Sequence, residues 1–321
     1  MRVDVVVVSF NSRDRLRGCV EQLAGLDWAR VIVVDNDSAD GSLEAVADLD
    51  VVAVQLDVNG GFAHGVNAGA ARGDAPYVLL LNPDARLASA SLRRLVACLD
   101  AEPGVGAVAP NVLEADGSLA YSQRRFPRVV SSLAQVLYLH RVLPHAGWTD
   151  ELVRDPAAYA APRSAEWVSG ACILVRRSVL QALGGLDEGY FLYAEDVELC
   201  RGVHDLGLEV RFEPAAVCAH EGGASAPSWS LVPILIASRL RYLRKHHRAP
   251  VALALRVLVA LEALTHAALT RHGSGARRAW LRAFGVAALG REPAQSRMAR
   301  LRTRPAGGPA LAAGGVAENG R

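Results

Sequence analysis

Short β-branched apolar runs alternate with amphipathic segments through the first eighty residues, and this alternation confines the chain to few folds. Residues 3–8, 31–34, 51–56 and 77–81 read as strands, and 13–26, 42–47 and 63–72 read as helical. Strands that are apolar on both faces and separated by helical crossovers belong to an α/β fold, a mostly parallel central sheet with helices on both faces. With 321 residues the chain has length for one large domain or two modest ones. In such sheets ligands bind beyond the carboxyl ends of the strands, so the residues that follow each strand carry the information.

Those residues are Ser9-Phe10-Asn11-Ser12, then Asp35-Asn36-Asp37-Ser38-Ala39-Asp40-Gly41-Ser42, then Asn59-Gly60-Gly61-Phe62-Ala63, then Asn82-Pro83-Asp84. Turns and helix N-caps favour Ser, Asn, Asp and Gly anyway, so any one loop is as well explained as a turn. Four in succession along one edge make a site the better reading.

The second half is less regular. Residues 121–165 contain Pro127, Pro144, Pro156 and Pro162 and read as an irregular insertion with helical parts. A strand is expected over 167–175 and a helix from Ser178. A Gly184-Gly185-Leu186-Asp187-Glu188-Gly189-Tyr190-Phe191 loop then leads to a helix over about 194–206, closed by Gly207. Two short strands, 209–212 and 216–219, end at His220.

Three groups here can carry chemistry. A carboxylate at the end of a buried strand, Asp84, is costly unless solvated, paired or bound to a metal, and an N-cap role would also account for it. Glu195-Asp196-Val197-Glu198 opens a helix, where the macrodipole stabilises acids without any function. The preceding glycine-flexed aromatic loop suits a wall around a sugar-sized ligand. His220, followed by Glu221-Gly222-Gly223, is ambiguous alone, although the glycines permit close approach by a charged ligand.

Taken together, Ser9-Phe10-Asn11, Asp35-Asn36-x-Ser38-x-Asp40-Gly41-Ser42, Asn59-x-Gly61-Phe62-Ala63-x-x-x-Asn67-x-Gly69 and Asn82-Pro83-Asp84 resemble the family-2 inverting glycosyltransferases of the GT-A fold. Trp167-Val168-Ser169-Gly170-Ala171, Gly184-Gly185-Leu186-Asp187-Glu188 and Glu195-Asp196-Val197-Glu198-Leu199-Cys200-Arg201 extend the match, with the arginine one place earlier than in relatives that have a spacer. The resemblance spans roughly residues 1–250 and is nearest to the rhamnosyltransferase-like enzymes of bacterial surface glycans. It implies donor contacts from Ser9, Asn11, Asp35, Gly61, Phe62, Asn67, Asn82 and Asp84, and acceptor contacts from Trp167, Gly170 and Glu195. It also implies a divalent cation, Mg²⁺ or Mn²⁺, on Asp84 and His220, with Asp196 as the catalytic base. Asn-Pro-Asp replaces the family's Asp-x-Asp, which removes one carboxylate and keeps the usual metal ligand.

The implied reaction moves a sugar, rhamnose first, from a dTDP- or UDP-linked donor to a hydroxyl of a surface glycan or a polyprenyl-diphosphate-linked glycan. Galactofuranose, glucose or N-acetylhexosamine donors are the alternatives, as are a non-catalytic glycan- or nucleotide-binding relative and a nucleotidyltransferase on a similar sheet. Gly60-Gly61-Phe62-Ala63-His64-Gly65 lacks the spacing of a dinucleotide loop, and no GxxxxGKS/T sequence occurs, so neither an oxidoreductase nor an ATPase is supported.

The net charge of +2 gives no reason to expect a nucleic-acid partner, but it averages two unlike parts. Residues 231–321 carry 16 basic and 3 acidic side chains, against 19 basic and 30 acidic in 1–230. The expected organisation is a catalytic domain over 1–230, with a nucleotide half to about 120 and an acceptor half beyond it. A basic amphipathic helical extension over 231–302 and a Pro/Gly/Ala-rich flexible tail over 303–321 follow. On a helical wheel Arg256, Glu262, His266, Thr270 and Arg271 share one half, and Leu253, Val257, Leu261 and Leu264 the other. That pattern suits a helix lying on a membrane beside the basic cluster at 239–248, or equally one packed on the catalytic domain or in a homodimer contact. Cys19, Cys98, Cys172, Cys200 and Cys218 are odd in number and lack CxxC spacing, so neither a disulfide framework nor a zinc knuckle is indicated. The first apolar run is too short and too acidic for a signal peptide, and the expected location is the cytoplasm, at the inner face of the cell membrane.

Overall fold

The computed structural model describes residues 2–143, 146–221, 228–270, 273–291 and 293–296. The tail expected over 303–321 lies outside these residues, as do Pro144, Gly222, Gly223 and Arg271. In chain order the elements are β1 (Val3–Ser9), α1 (Arg13–Val20), β2 (Ala29–Asp35), β3 (Val52–Gln55), α2 (Phe62–Ala70), β4 (Tyr77–Leu81), β5 (Ala85–Leu87), α3 (Ser89–Ala101) and β6 (Val105–Leu113). There follow β7 (Gln123–Arg124), α4 (Val129–Val136), α5 (Leu139–Val142), β8 (Arg163–Ala165), β9 (Trp167–Val168), β10 (Cys172–Arg176) and α6 (Arg177–Leu183). The chain continues with α7 (Glu195–Asp205), β11 (Glu209–His220), α8 (Val232–His246), α9 (Ala249–Leu269) and α10 (Gly273–Leu289).

Nine of the strands form one sheet in the order β3-β2-β1-β4-β10-β6-β11-β5, with β8 also on β11, and β7 pairs with β9 in a separate two-stranded sheet. Pairing is parallel from β3 through β4 and between β6 and β11. β10 is inserted antiparallel to both β4 and β6. Both faces of the sheet are covered, as the continuous apolar runs require. Along β1, Val6 and Val8 enter one core, and Val3, Val5 and Val7 enter the other. Each fully buried valine or leucine contributes roughly 1.5–3 kcal/mol. α2 lies unusually close to the sheet. A Cβ on Gly69 would come within 2.6 Å of a Val6 methyl and 2.9 Å of a Val34 methyl, so the position takes only glycine.

Several elements differ from the sequence expectation. The strand expected over 167–175 breaks into β9 and β10: the Asn82 N–H on the Ala171 carbonyl still follows the β4–β10 register, but the Gly170 N–H turns to the Asp196 carboxylate instead of a neighbouring strand. Conversely, the two strands expected over 209–219 are one strand, β11, with an irregularity between Glu213 and Val217 around Pro214. The helix expected over 42–47 is a single 3₁₀ turn, Glu44–Val46. α7 matches its expected span, with Val197, Leu199 and Val203 buried. Its end is closed by Gly207 at φ 75° with Leu208 N–H on the Val203 carbonyl.

At the opposite edge from the strand ends sits a buried ion pair. Asp4 is fully buried in β1 and accepts from Arg177 Nη2 at 2.6 Å and from the Ala75 N–H at 2.8 Å. Arg177 also donates to the carbonyls of Ala75 and Ala70, so it joins β1, α2 and α6. Removing one partner of such a pair strands the other charge. Arg177→Ala is therefore expected to lower unfolding free energy by about 3 kcal/mol, read as a shift of the urea midpoint; a change within error would exclude a structural role for the pair.

Candidate active site

The first strand ends hold two buried polar atoms without partners. Ser9 and Asp35 are adjacent in register at the ends of β1 and β2, and both are buried. Asp35 Oδ2 accepts from the Ser38 N–H at 2.9 Å and from Gln55 Nε2 at 2.8 Å, while Asp35 Oδ1 and Ser9 Oγ have no partner. A buried polar atom left unpaired costs about 1–3 kcal/mol, which makes these two the candidates for a ligand contact at this edge. Asn11 sits at φ 50°, gives its N–H to Ser38 Oγ and accepts from the Ala39 N–H at 2.9 Å, which shapes the loop between the two strands.

Gly61 caps α2 at φ 90°, and a Cβ there would lie 2.1 Å from the Phe191 carbonyl oxygen, so this loop cannot accept a side chain. The half-buried Phe62 donates its N–H to that same carbonyl at 2.9 Å. The amide of Asn67 is spent on the 184–191 loop. Its Nδ2 donates to the Leu186 carbonyl and to Glu188 Oε1, and its Oδ1 accepts from the Leu186 N–H. Asn67 thus holds the loop wall in place.

After β4 the chain leaves the middle of the sheet through Asn82-Pro83-Asp84, and β5 joins β11 at the edge, with His220 opposite Ala85. This crossing brings Asp84 Oδ1 to 3.1 Å from His220 Nε2, with Asn82 Nδ2 3.4 Å from the same nitrogen. Burial opposes ionisation of Asp84, but the hydrogen bond and charge of His220 outweigh it and hold the carboxyl below its ordinary range. Burial likewise disfavours the imidazolium, and Asp84 outweighs it, raising the His220 pKa. Among the described residues no group of three or more His, Cys, Asp and Glu converges to enclose a metal. One carboxylate and one imidazole side by side fit a cation that completes its shell with phosphate and water, the common arrangement for Mg²⁺ and Mn²⁺ at diphosphates.

The third group is anchored to the second. The Asn82 N–H donates to the Ala171 carbonyl at 3.0 Å, and the neighbouring Gly170 N–H donates to Asp196 Oδ2 at 3.0 Å. Asp196 is the second residue of α7, whose first, Glu195, directly follows Tyr193 and Ala194 at φ 68° and 69°. Two consecutive non-glycine residues in the left-handed region are costly and occur where the surroundings over-determine them. Glu195 is buried with Oε2 unpartnered, and burial, then the neighbouring Asp196 charge, push its pKa up to about 8. Burial also raises Asp196 above its usual value, against the backbone N–H bonds that favour its charge.

Asp196 borders a cavity of about 800 Å³ between the sheet domain and α8–α10, lined also by Arg124, Trp167, Tyr193 and His266. Trp167 is held by its indole N–H on the Arg125 carbonyl at 2.9 Å, and Arg124 lies over its ring at 5.2 Å.

The arrangement depends on residues of the basic cluster at 239–248, which the sequence left open between a membrane contact and packing on the catalytic domain. Arg239, Arg241 and His246 turn toward the domain, and Lys245 reaches back to it from the surface. Arg241 and Lys245 pair with Asp187 at 2.8 and 2.9 Å, Lys245 and His246 pair with Glu198, and Ser238 Oγ donates to the Leu192 carbonyl. Arg239 bridges Glu151 and Glu262 at 2.9 Å each. α8 is therefore a clasp on the loop that presents Asp196. The available signal was the excess of acids in 1–230 beside the excess of bases after it.

Comparison with known proteins accords with this geometry. Residues 4–184 match the model for glycosyl transferase family 2. The N-acetylglucosaminyl-diphospho-decaprenol L-rhamnosyltransferase of Mycobacterium tuberculosis is 31% identical over 207 residues, covering 59% of this chain and 66% of that relative's own length, just under two thirds. The Escherichia coli rhamnosyltransferase WbbL is 25% identical over 234 residues, covering 68% and 83%. Among solved structures, the mannosyltransferase PcManGT of Pyrobaculum calidifontis, in complex with GDP-Man and Mn²⁺, superposes with a TM-score of 0.53 at 21% identity, covering 94% of this chain and 83% of that one. The fold is thus the GT-A glycosyltransferase fold. With more than half of the sequence inside the family model and its strand ends gathered at one edge, the chain belongs to glycosyl transferase family 2.

Proposed function

We propose that this glycosyltransferase moves rhamnose, with inversion, from a dTDP- or UDP-linked donor to a hydroxyl of a polyprenyl-diphosphate-linked glycan, at the cytoplasmic face of the cell membrane. The observation that carries this reading is the two-bond backbone link from Asn82 through Ala171 and Gly170 to Asp196, which fixes the Asp84–His220 pair and the Asp196 carboxylate in one rigid frame. The rhamnosyltransferase relatives support the donor, and the decaprenol relative supports the acceptor class.

In this mechanism Ser9 and Asp35 complete their unpartnered Oγ and Oδ1 on the nucleoside. Gly61 and Phe62 border it on the side of the 191 carbonyl, while Asn11 and Asn67 shape the loops around it. Asn82 positions His220. Asp84 and His220 would hold a divalent cation, which would supply positive charge against the departing diphosphate; the Mn²⁺ of the Pyrobaculum neighbour supports this. Asp196 removes the proton of the acceptor hydroxyl as its oxygen bonds to the anomeric carbon. The bond from that carbon to the diphosphate oxygen breaks, and the electron pair leaves with the nucleoside diphosphate. Trp167 and Gly170 flank the acceptor side. A raised Asp196 pKa suits a base working near neutrality, and a positioned base contributes roughly 10²–10⁴-fold.

Three measurements test this reading. Asp196→Asn should lower transfer by about 10²–10⁴-fold with nucleotide affinity nearly unchanged; full turnover by that variant would remove the proposed base. Treatment with EDTA should abolish nucleoside diphosphate release across a donor panel, and Mg²⁺ or Mn²⁺ should restore it. Undiminished release in the chelator would remove the metal role from Asp84 and His220.

The third concerns Glu195. It is protonated in the folded chain up to about pH 8 but ionises near pH 4.5 once unfolded, so the folded state binds the extra proton between those values. The stability it contributes is complete below pH 4.5 and is lost as pH rises to 8. Glu195→Gln should accordingly unfold at higher urea than the native chain at pH 8, relative to pH 5, by on the order of a few kcal/mol. A difference independent of pH would show that Glu195 is ionised throughout.

A further inference from the structure

Helix α9 turns its polar side chains and one apolar face into the protein and leaves a second apolar face to water. Leu255, Val259 and Ala263 are fully buried. Glu262 pairs with Arg239, Arg256 donates to the carbonyls of Ala287 and Ala288 in α10, and His266 stacks on Trp280 with ring centroids 4.3 Å apart. Its other apolar face points out, with Leu253 61% exposed, Val257 50%, and Leu261 and Leu264 43% each. These four recur at the spacing of one helical face.

The neighbouring elements extend the same character. α4 packs against α9 and exposes Val130, Leu133 and Leu137, also at one-face spacing. α10, which also packs against α9, exposes Leu281 between Arg277, Arg278 and Arg282, and Arg248 is exposed at the N-cap of α9. Soluble surfaces rarely leave large apolar stripes on adjacent helices, and those that do mark a contact. Cations among exposed leucines match an anionic lipid surface, where a helix lies in the interfacial plane with its apolar side in the acyl boundary.

We infer that α9, with α4 and α10 beside it, is an in-plane docking face for an anionic bilayer. α9 is long and apolar enough to cross a membrane by length and composition, but crossing would pull Glu262 from Arg239 and Arg256 from α10. Lying flat keeps both. The inference deepens the reading of a lipid-linked acceptor. Because Glu262 and His266 line the Asp196 cavity from within, a single helix, about 10 Å thick, separates that cavity from lipid. A polyprenyl-diphosphate acceptor could then bring its sugar to Asp196 while its chain stays in the bilayer.

Flotation of the full chain tests the inference without donor or acceptor, so its outcome is separate from that of the transfer reaction. The native chain should float with phosphatidylcholine vesicles containing phosphatidylglycerol, and less with phosphatidylcholine alone. L253Q/V257Q/L261Q, which alters exposed side chains only, should bind at least about tenfold more weakly, and R277E/R278E/R282E should lose the preference for the anionic vesicles. Circular dichroism and the rate of donor hydrolysis in solution should match the native chain in both variants. Equal flotation by the native chain and the leucine variant would overturn the proposal. So would a native chain that stays unbound, or one that is dimeric by light scattering and becomes monomeric on the leucine substitutions, since the face would then be a subunit interface.

Discussion

The chemistry at the sheet edge hangs on three residues of backbone, 169–171, between β9 and β10. The Ala171 carbonyl takes the Asn82 N–H as the last rung of the β4–β10 ladder, and the next N–H, that of Gly170, leaves the ladder for Asp196. A regular strand through this point would send successive side chains to opposite faces and leave α7 without its anchor. The break instead makes one rigid body of the Asn82-Pro83-Asp84 turn and the start of α7. The left-handed Tyr193 and Ala194, the buried Glu195 and the raised Asp196 are the strain that this frame holds. On the proposed reading, positioning of donor and base is settled before any substrate arrives, which is where much of the rate of a displacement reaction comes from.

Much of the N-terminal half was legible because its signals are local. Val3 to Val8 is apolar on both faces, so β1 had to be central and covered on both sides, and each following loop announced a strand end. The second half was less legible because its signals are not local. Residues 167–175 are as apolar as any strand, and nothing in their own sequence tells that Gly170 would rather bond to a carboxylate 26 residues away. The antiparallel insertion of β10 between β4 and β6 is a property of the whole chain path. Asp84 and His220 are 136 residues apart, and only the crossing of β5 to the far edge of the sheet joins them.

The C-terminal helices show how one composition serves two purposes. The net charge of +2 is a cancellation, and the structure performs part of that cancellation at close range. Asp187 and Glu198 meet Arg241, Lys245 and His246, while Glu151 and Glu262 meet Arg239. Pairs of this kind add little net stability over apolar packing, because desolvation and the ordering of long side chains offset attraction. What they add is geometry: a carboxylate accepts a guanidinium in few orientations, so α8 seats on the 184–194 loop in one way.

That choice has a consequence for the outer surface. A helix that packed on the domain through leucines would show polar residues to water, the usual arrangement. α9 packs through Leu255, Val259 and Ala263 but turns Arg256, Glu262 and His266 inward as well, so Leu253, Val257, Leu261 and Leu264 are left to face outward. Such a helix is stable in water only if its inward contacts outweigh the exposed apolar area, and it gains wherever that area finds an apolar medium. The polar side chains turned toward the protein and the apolar surface above them are thus two sides of one sequence pattern. The inward turn of Arg256, Glu262 and His266 is also what leaves the chain with a face suited to lipid.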